Sequence, residues 1–238
     1  VKKAVVVGAS SGIGRELSII LAANDYTVAI GARRQELLES LLKGYQNINH
    51  YRVMDVSKFD SAMKATNELI AELGGLDLLI VAAGTGEINE DLSWDLELET
   101  INVNVTGFTA IVNVAMKQFI KQGSGHLVGI SSIASIRGGR AAPSYNASKA
   151  YESNYLEGLR QKVKNMALPI TVTEIIPGFV DTAMAKGEGI FWSAPPHKAA
   201  VQIFEAIGAK KSKAYITKRW SVIAWFLKLL PSFIYERL

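Results

Sequence analysis

The sequence predicts an α/β fold: a doubly wound parallel sheet of about seven strands with helices on both faces. Three observations carry that prediction. Short β-branched runs alternate with stretches of helical period almost to the end, a glycine-rich turn follows the first run, and no repeat or linker breaks the alternation. Such alternation favours parallel strands joined by right-handed crossovers.

Strands are expected at residues 3–7, 27–30, 49–53, 76–81, 126–130, 170–176 and 214–217, each short and bounded by turn residues. Helices are expected near 12–23, 34–43, 58–73, 97–122, 143–167 and 196–208. The longest motif-bearing helix is supported by Leu156, Leu159, Val163 and Met166 at three- and four-residue spacing, with Pro143 suited to its first turn. A length of 238 residues is within the range of a single α/β domain.

Hydrophobic residues make up 49% and charged residues 20%, which speaks against both disorder and a membrane-embedded chain. Without cysteine there is no disulfide, thiolate nucleophile or cysteine-bound metal, and the composition fits a reducing compartment. His50, His126 and His197 share no ligand spacing, so no metal is expected. The opening VKKAVVV runs into a glycine turn where a signal peptide would continue its apolar stretch, and reads as a first strand. From Lys210 onward seven basic residues accompany one acid, so this tail carries +6 while residues 1–209 carry −2 of the +4 total. A nearly neutral body argues against a nucleic-acid-binding face.

GASSGIG follows the first strand and opens a helix, with Gly8, Gly12 and Gly14 separated by Ser10, Ser11 and Ile13. Glycines there allow a tight turn and close approach of a pyrophosphate, whose charge then faces the free N–H groups of a helix N-terminus. The second strand ends VAIGARR, with Arg33 and Arg34 where an acid would accept hydrogen bonds from ribose hydroxyls. A guanidinium suits a 2′-phosphate instead, which favours NADP(H) over NAD(H). YNASK places Tyr145 and Lys149 one above the other on a helix, either as a solvated pair or as an acid-base device.

With GASSGIG, Asp55 and Val56 after the third strand, AAG ending at Gly84, NVTG from Asn104, ISS ending at Ser132, YNASK and PGFVDT from Pro177, the chain resembles the classical short-chain dehydrogenase/reductase family. The likeness runs from Val5 to about Thr182. It implies a Rossmann fold and a nicotinamide-dependent oxidoreductase acting on a carbonyl or secondary alcohol, with NADP(H) favoured by the two arginines and NAD(H) left as the alternative. It further implies Tyr145 as general acid/base, Lys149 as the cation that favours its phenolate and binds the nicotinamide ribose, Ser132 on the substrate oxygen, and Asn104 ordering a water. By the same resemblance Asp55 and Val56 flank the adenine, Ala83 and Gly84 approach the cofactor through backbone, and Pro177, Gly178, Val180 and Thr182 line the nicotinamide. Val81 and Ala82 stand where the family carries an asparagine pair, which removes any side-chain hydrogen bond there.

Residues 1–218 are thus expected to form the nucleotide-binding and catalytic domain, with 183–196 as a lid in which Met184, Ile190, Phe191 and Trp192 cover a small apolar substrate. Residues 219–238 form an apolar helical tail of the same domain. WSVIAWFLKLL is too short to span a bilayer, which takes about 20 residues; with its basic flank it is suited to lie on an anionic membrane surface, and its apolar face is equally suited to cover the substrate cleft or pack in an oligomer. The family likeness implies a homo-oligomer, and the expected location is cytoplasmic, with peripheral membrane contact through the tail. A cofactor-retaining epimerase or dehydratase, or a non-catalytic nucleotide-binding protein, are the competing readings. The Ser132, Tyr145 and Lys149 set disfavours the second, and the serine with Asn104 disfavours the first.

Overall fold

The computed structural model describes residues 1–182 and 192–237. Seven strands form one parallel sheet in the order β3-β2-β1-β4-β5-β6-β7. The strands are β1 (Lys2–Val7), β2 (Tyr26–Ala32), β3 (Ile48–Val53), β4 (Leu78–Val81), β5 (Gly125–Ile130), β6 (Ile170–Pro177) and β7 (Lys213–Ile216). Connecting them are α1 (Gly12–Ala22), α2 (Gln35–Gly44), α3 (Phe59–Leu73), α4 (Trp94–Ile101), α5 (Phe108–Gln122), α6 (Pro143–Asn165) and α7 (Pro196–Gly208). Two short helices close the chain, α8 (Trp220–Leu229) and α9 (Ser232–Tyr235).

Alternation along β1 shows how the sheet divides two cores. Val5 and Val7 pack with Leu79, Phe108, Phe119 and Leu156 on the α3, α5 and α6 side. Ala4 and Val6 point the other way, onto Leu17, Leu21 and Ile203 of α1 and α7. A strand buried on both faces has no polar side to show, which is why these segments read as continuous apolar runs.

One element departs from the expected pattern. The helix expected over 97–122 starts at Trp94 and is interrupted by a π-helical segment, Asn102–Gly107, before α5. Two tertiary contacts sit at that widened turn: Asn104 is fully buried and bonded to the Thr85 backbone, and a Cβ on Gly107 would fall 2.5 Å from the Val56 carbonyl oxygen. Periodicity reports which face is buried but not a local change in the hydrogen-bond ladder.

Candidate active site

Order reverses between β1 and β4: the chain leaves β1 toward β2 on one side and returns to β4 on the other. At such a switch point the loops diverge and leave a crevice at the carboxyl edge. The glycine turn lies on one side of this crevice. Gly8, at φ 92°, lets the Ala82–Ala83 backbone approach so closely that a Cβ would sit 2.4 Å from the Ala83 nitrogen. Gly14 does the same for the turn itself, since a Cβ there would lie 2.3 Å from the Gly8 carbonyl oxygen. On Gly12 a Cβ would reach the Thr182 methyl at 3.0 Å, so Thr182 borders the same turn.

The first turn of α1 carries no acid, leaving the positive end of the helix uncompensated. Arg34 donates to Ser10 Oγ at 2.8 Å and to Ser11 Oγ at 2.6 Å, tying the end of β2 to the turn, and Arg33 beside it is, like Arg34, an exposed residue. Side chains at Val81 and Ala82 are apolar, Val81 within the sheet and Ala82 toward Gly14. Asp55 caps its own turn, accepting from the Ser57 amide at 3.0 Å, and Val56 is buried against Gly107. A cradle of this shape, with backbone N–H groups, an uncompensated helix end and two arginines, fits a dinucleotide phosphate group.

On the other side of the crevice α6 delivers Tyr145 and Lys149. Its start is fastened by Asn146, whose amide donates to the carbonyls of Ala134 and Arg137 at 3.1 and 2.8 Å. Those carbonyls belong to the turn that follows Ser132, so the serine and the tyrosine are held on neighbouring segments. Ser132 Oγ accepts from the Ala134 amide at 3.1 Å and stays partly exposed. Its neighbour Ser131 points into the protein, donating to Glu174 Oε1 at 3.0 Å. That is the opposite-face arrangement extended backbone imposes.

The Tyr145 ring lies on the loop after β4, where a Cβ on Gly86 would meet its Cδ2 at 2.3 Å. Gly84 lies against both the Lys149 ammonium and Asn104 Oδ1, at 3.3 and 3.4 Å from where its Cβ would be. Asn104 Nδ2 donates to Ser148 Oγ at 2.9 Å, and Ser148 in turn donates to the Tyr145 carbonyl at 2.8 Å. Asn104 also takes the Thr85 amide and donates to the Thr85 carbonyl, at 2.9 and 2.7 Å. Three of the four expected polar residues, Asn104, Tyr145 and Lys149, therefore surround one loop, 84–86, while Ser132 is held beside Tyr145 through the turn that Asn146 fastens.

Lys149 is buried, with its ammonium 5.9 Å from the Tyr145 ring centroid and donating to the Ile130 carbonyl at 3.1 Å. It also donates to both oxygens of Glu152, at 2.8 and 3.0 Å. Glu152 was not expected from sequence. The available signal was its place one turn before Leu156 on the stripe that continues through Leu159 and Val163, three residues after Lys149.

A family model for short chain dehydrogenases matches residues 2–189. The chain belongs to the short-chain dehydrogenase family. Members of this family are oxidoreductases that bind a nicotinamide cofactor, and the cradle described above suits one. An uncharacterized oxidoreductase of Myxococcus xanthus is 37% identical over 188 residues, covering 77% of this chain and 74% of that protein. Another from Mycobacterium tuberculosis is 33% identical over 192 residues, covering 77% and 75%. Among solved structures, a short-chain dehydrogenase from Streptomyces avermitilis superposes with a TM-score of 0.80 at 25% identity, over 90% of this chain and 87% of that one. A variant of actinorhodin polyketide ketoreductase, solved with NADPH, shares the fold at a TM-score of 0.81 and 23% identity, over 96% and 98%.

In this short-chain dehydrogenase the segment after β6 packs against the start of the tail. Val180 bridges to Ala194, with Asp181 N donating to the Ala194 carbonyl at 2.9 Å. Met184, Ile190 and Phe191 lie outside the described residues. Trp192 stacks edge-on to Trp220, which also meets Phe179 edge-on. Pro177 ends β6, and Gly178 follows it under the Trp220 indole. No group of three or more histidine or acidic side chains placed to hold a metal occurs among the described residues.

Proposed function

We propose that this short-chain dehydrogenase uses NADP(H) to interconvert a carbonyl and a secondary alcohol on a small, apolar substrate, with Tyr145 as the acid/base. The observation that supports it most is the gathering of Tyr145, Lys149 and Asn104 around residues 84–86, at the sheet edge that also carries the glycine cradle. The bound cofactor supplies or accepts a hydride at the substrate carbon. Tyr145 then gives its proton to the carbonyl oxygen in reduction, or takes one from the alcohol in oxidation, while Ser132 Oγ orients that oxygen. Lys149 stabilises the phenolate and reaches the ribose; Asn104 holds the loop beneath both. Arg33 receives the 2′-phosphate, while Arg34 braces the turn in which Gly8, Ser10, Ser11, Gly12, Ile13 and Gly14 receive the pyrophosphate. Asp55 and Val56 border the adenine, and Ala83, Gly84, Pro177, Gly178, Val180 and Thr182 border the nicotinamide.

NADPH oxidation against a panel of apolar ketones and aldehydes tests the reading. Turnover is expected with NADPH, and Tyr145→Phe should reduce it by about 10²-fold or more. Unchanged turnover in that variant would remove the acid/base role.

A second reading concerns the tail. Trp220 and Ala224 bury one face of α8, while Val222, Trp225, Phe226 and Leu229 expose an apolar arc on the other. Lys218, Arg219 and Lys228 flank it. We propose that this arc lies on an anionic membrane surface, consistent with a helix too short to span one. The protein should sediment with phosphatidylserine vesicles at low salt but not with phosphatidylcholine alone. A homo-oligomer is proposed through the exposed Leu98, Ile101 and Tyr151 of α4 and α6, and light scattering reads its mass.

A further inference from the structure

Glu152 occupies a position that packing alone would give to leucine. Its side chain is fully buried on the stripe of α6 shared with Leu156, Leu159 and Val163. Desolvating a carboxylate costs several kcal/mol, and an ion pair rarely returns more than well-packed apolar residues would. Stability therefore gives no reason for an acid here.

Its surroundings do. Lys149, on the same helix, donates to both Glu152 oxygens. From β6 comes a second buried carboxylate, Glu174, which accepts from Ser131 Oγ at 3.0 Å. Glu174 faces Lys213 of β7 at 3.2 Å and Arg160 of α6 at 3.7 Å, and Lys213 is 39% exposed. Two buried charge clusters thus lie within electrostatic reach of each other, Lys149 with Glu152 and Glu174 with Arg160 and Lys213, and the second opens to the surface at Lys213. Burial pushes the Glu152 carboxyl up to about 7 despite the ammonium beside it, and Glu174 acts in the same direction.

We propose that Glu152 is a positioning residue of the reaction: its buried ion pair with Lys149, made and released by uptake and loss of one proton, controls how strongly the ammonium acts on Tyr145. The inference rests on the roles given above to Tyr145 and Lys149. With Glu152 ionised, the pair is neutral and the ammonium's field at Tyr145 is offset. When the carboxylate takes a proton from solvent, an O–H bond forms and the pair becomes singly positive. Lys149 is then released toward Tyr145 and the ribose. Nothing is oxidised or reduced in this step, and the same proton returns to solvent when the pair re-forms.

Alcohol oxidation followed over pH tests this, because it needs the Tyr145 phenolate. In Glu152→Gln, which keeps the shape and one acceptor for Lys149, the half-plateau pH should fall by roughly half a unit or more. The inflection contributed by Glu152 should vanish, whereas Glu152→Asp should keep one. A kcat lowered equally at every pH, with a profile superimposable on the parent's, would overturn the proposal. Infrared titration of the unaltered protein guards against a variant that fails to fold: a protonated carboxyl band titrating near neutrality is expected, and its absence would also overturn the proposal. Tyr145→Phe separates the two readings. Activity surviving in that variant sinks the acid/base assignment, while an inactive Tyr145→Phe with an unmoved Glu152→Gln profile sinks only the role of Glu152.

Discussion

The Trp220 indole fills the space that a side chain on Gly178 would need, with Cε2 lying 2.0 Å from where its Cβ would be. A residue at the start of the tail thus closes onto the first residue after β6. Trp220 is 2% exposed and meets Phe179 and Trp192 edge-on, so the tail helix is anchored by one aromatic cluster. Trp220→Ala should cost about 3–5 kcal/mol in chemical denaturation. Trp225→Ala, on the exposed arc at 58% exposure, should change stability by less than about 0.5 kcal/mol while weakening vesicle binding.

The two arginines after β2 should separate in their effects. Arg34 braces Ser10 and Ser11, so Arg34→Ala should weaken NADPH and NADH alike by loosening the turn. Arg33 is an exposed residue beside the turn and is the proposed partner of the 2′-phosphate, so Arg33→Ala should weaken NADPH alone, by about tenfold. Fluorescence titration with both cofactors distinguishes these outcomes.

Asn104 should matter to folding as well as to activity. Its amide satisfies both backbone groups of Thr85 and reaches Ser148. Asn104→Ala leaves those partners unpaired and should destabilise by about 1–3 kcal/mol, read from the urea midpoint, with a loss of turnover beyond any change in folded fraction.

His126 and Glu152 should tilt the pH dependence of stability in opposite directions. Burial, with Lys210 adding to it, holds the His126 imidazole down at about 4, below its ordinary 6.5. The unfolded chain therefore takes up a proton first, and stability is lost as pH falls from 6.5 toward 4. Glu152, raised from 4.5 to about 7, contributes most below 4.5 and loses that contribution as pH rises toward 7. Each slope is at most about 1.4 kcal/mol per pH unit. Denaturation midpoints between about pH 5 and 6.5 should therefore rise more steeply with pH in Glu152→Gln than in the parent, and less steeply in His126→Gln.

The order of strands and helices, the glycine turn and the spacing of Ser132, Tyr145 and Lys149 were legible in the sequence by itself. These features depend on side-chain alternation, helical period and turn chemistry, which act between residues a few positions apart. Alternation in extended backbone lets only one of Ser131 and Ser132 face the crevice, and it was the spacing implied by the family resemblance that singled out Ser132.

Tertiary structure alone decided the remainder. Which arginine braces the phosphate turn depends on how β2 ends beside Ser10 and Ser11, more than twenty residues away in sequence. The π-helical turn at Asn104 is tied to Thr85 and Val56, segments brought to it by the sheet. Glu152 looked like one more helical acid until the burial of α6 placed it with Lys149 and Glu174. The tail could have turned either face inward; the gap over Gly178 selected Trp220 and left Trp225 outside. Each of these outcomes is set by desolvation and close packing between distant segments, which local sequence patterns do not encode.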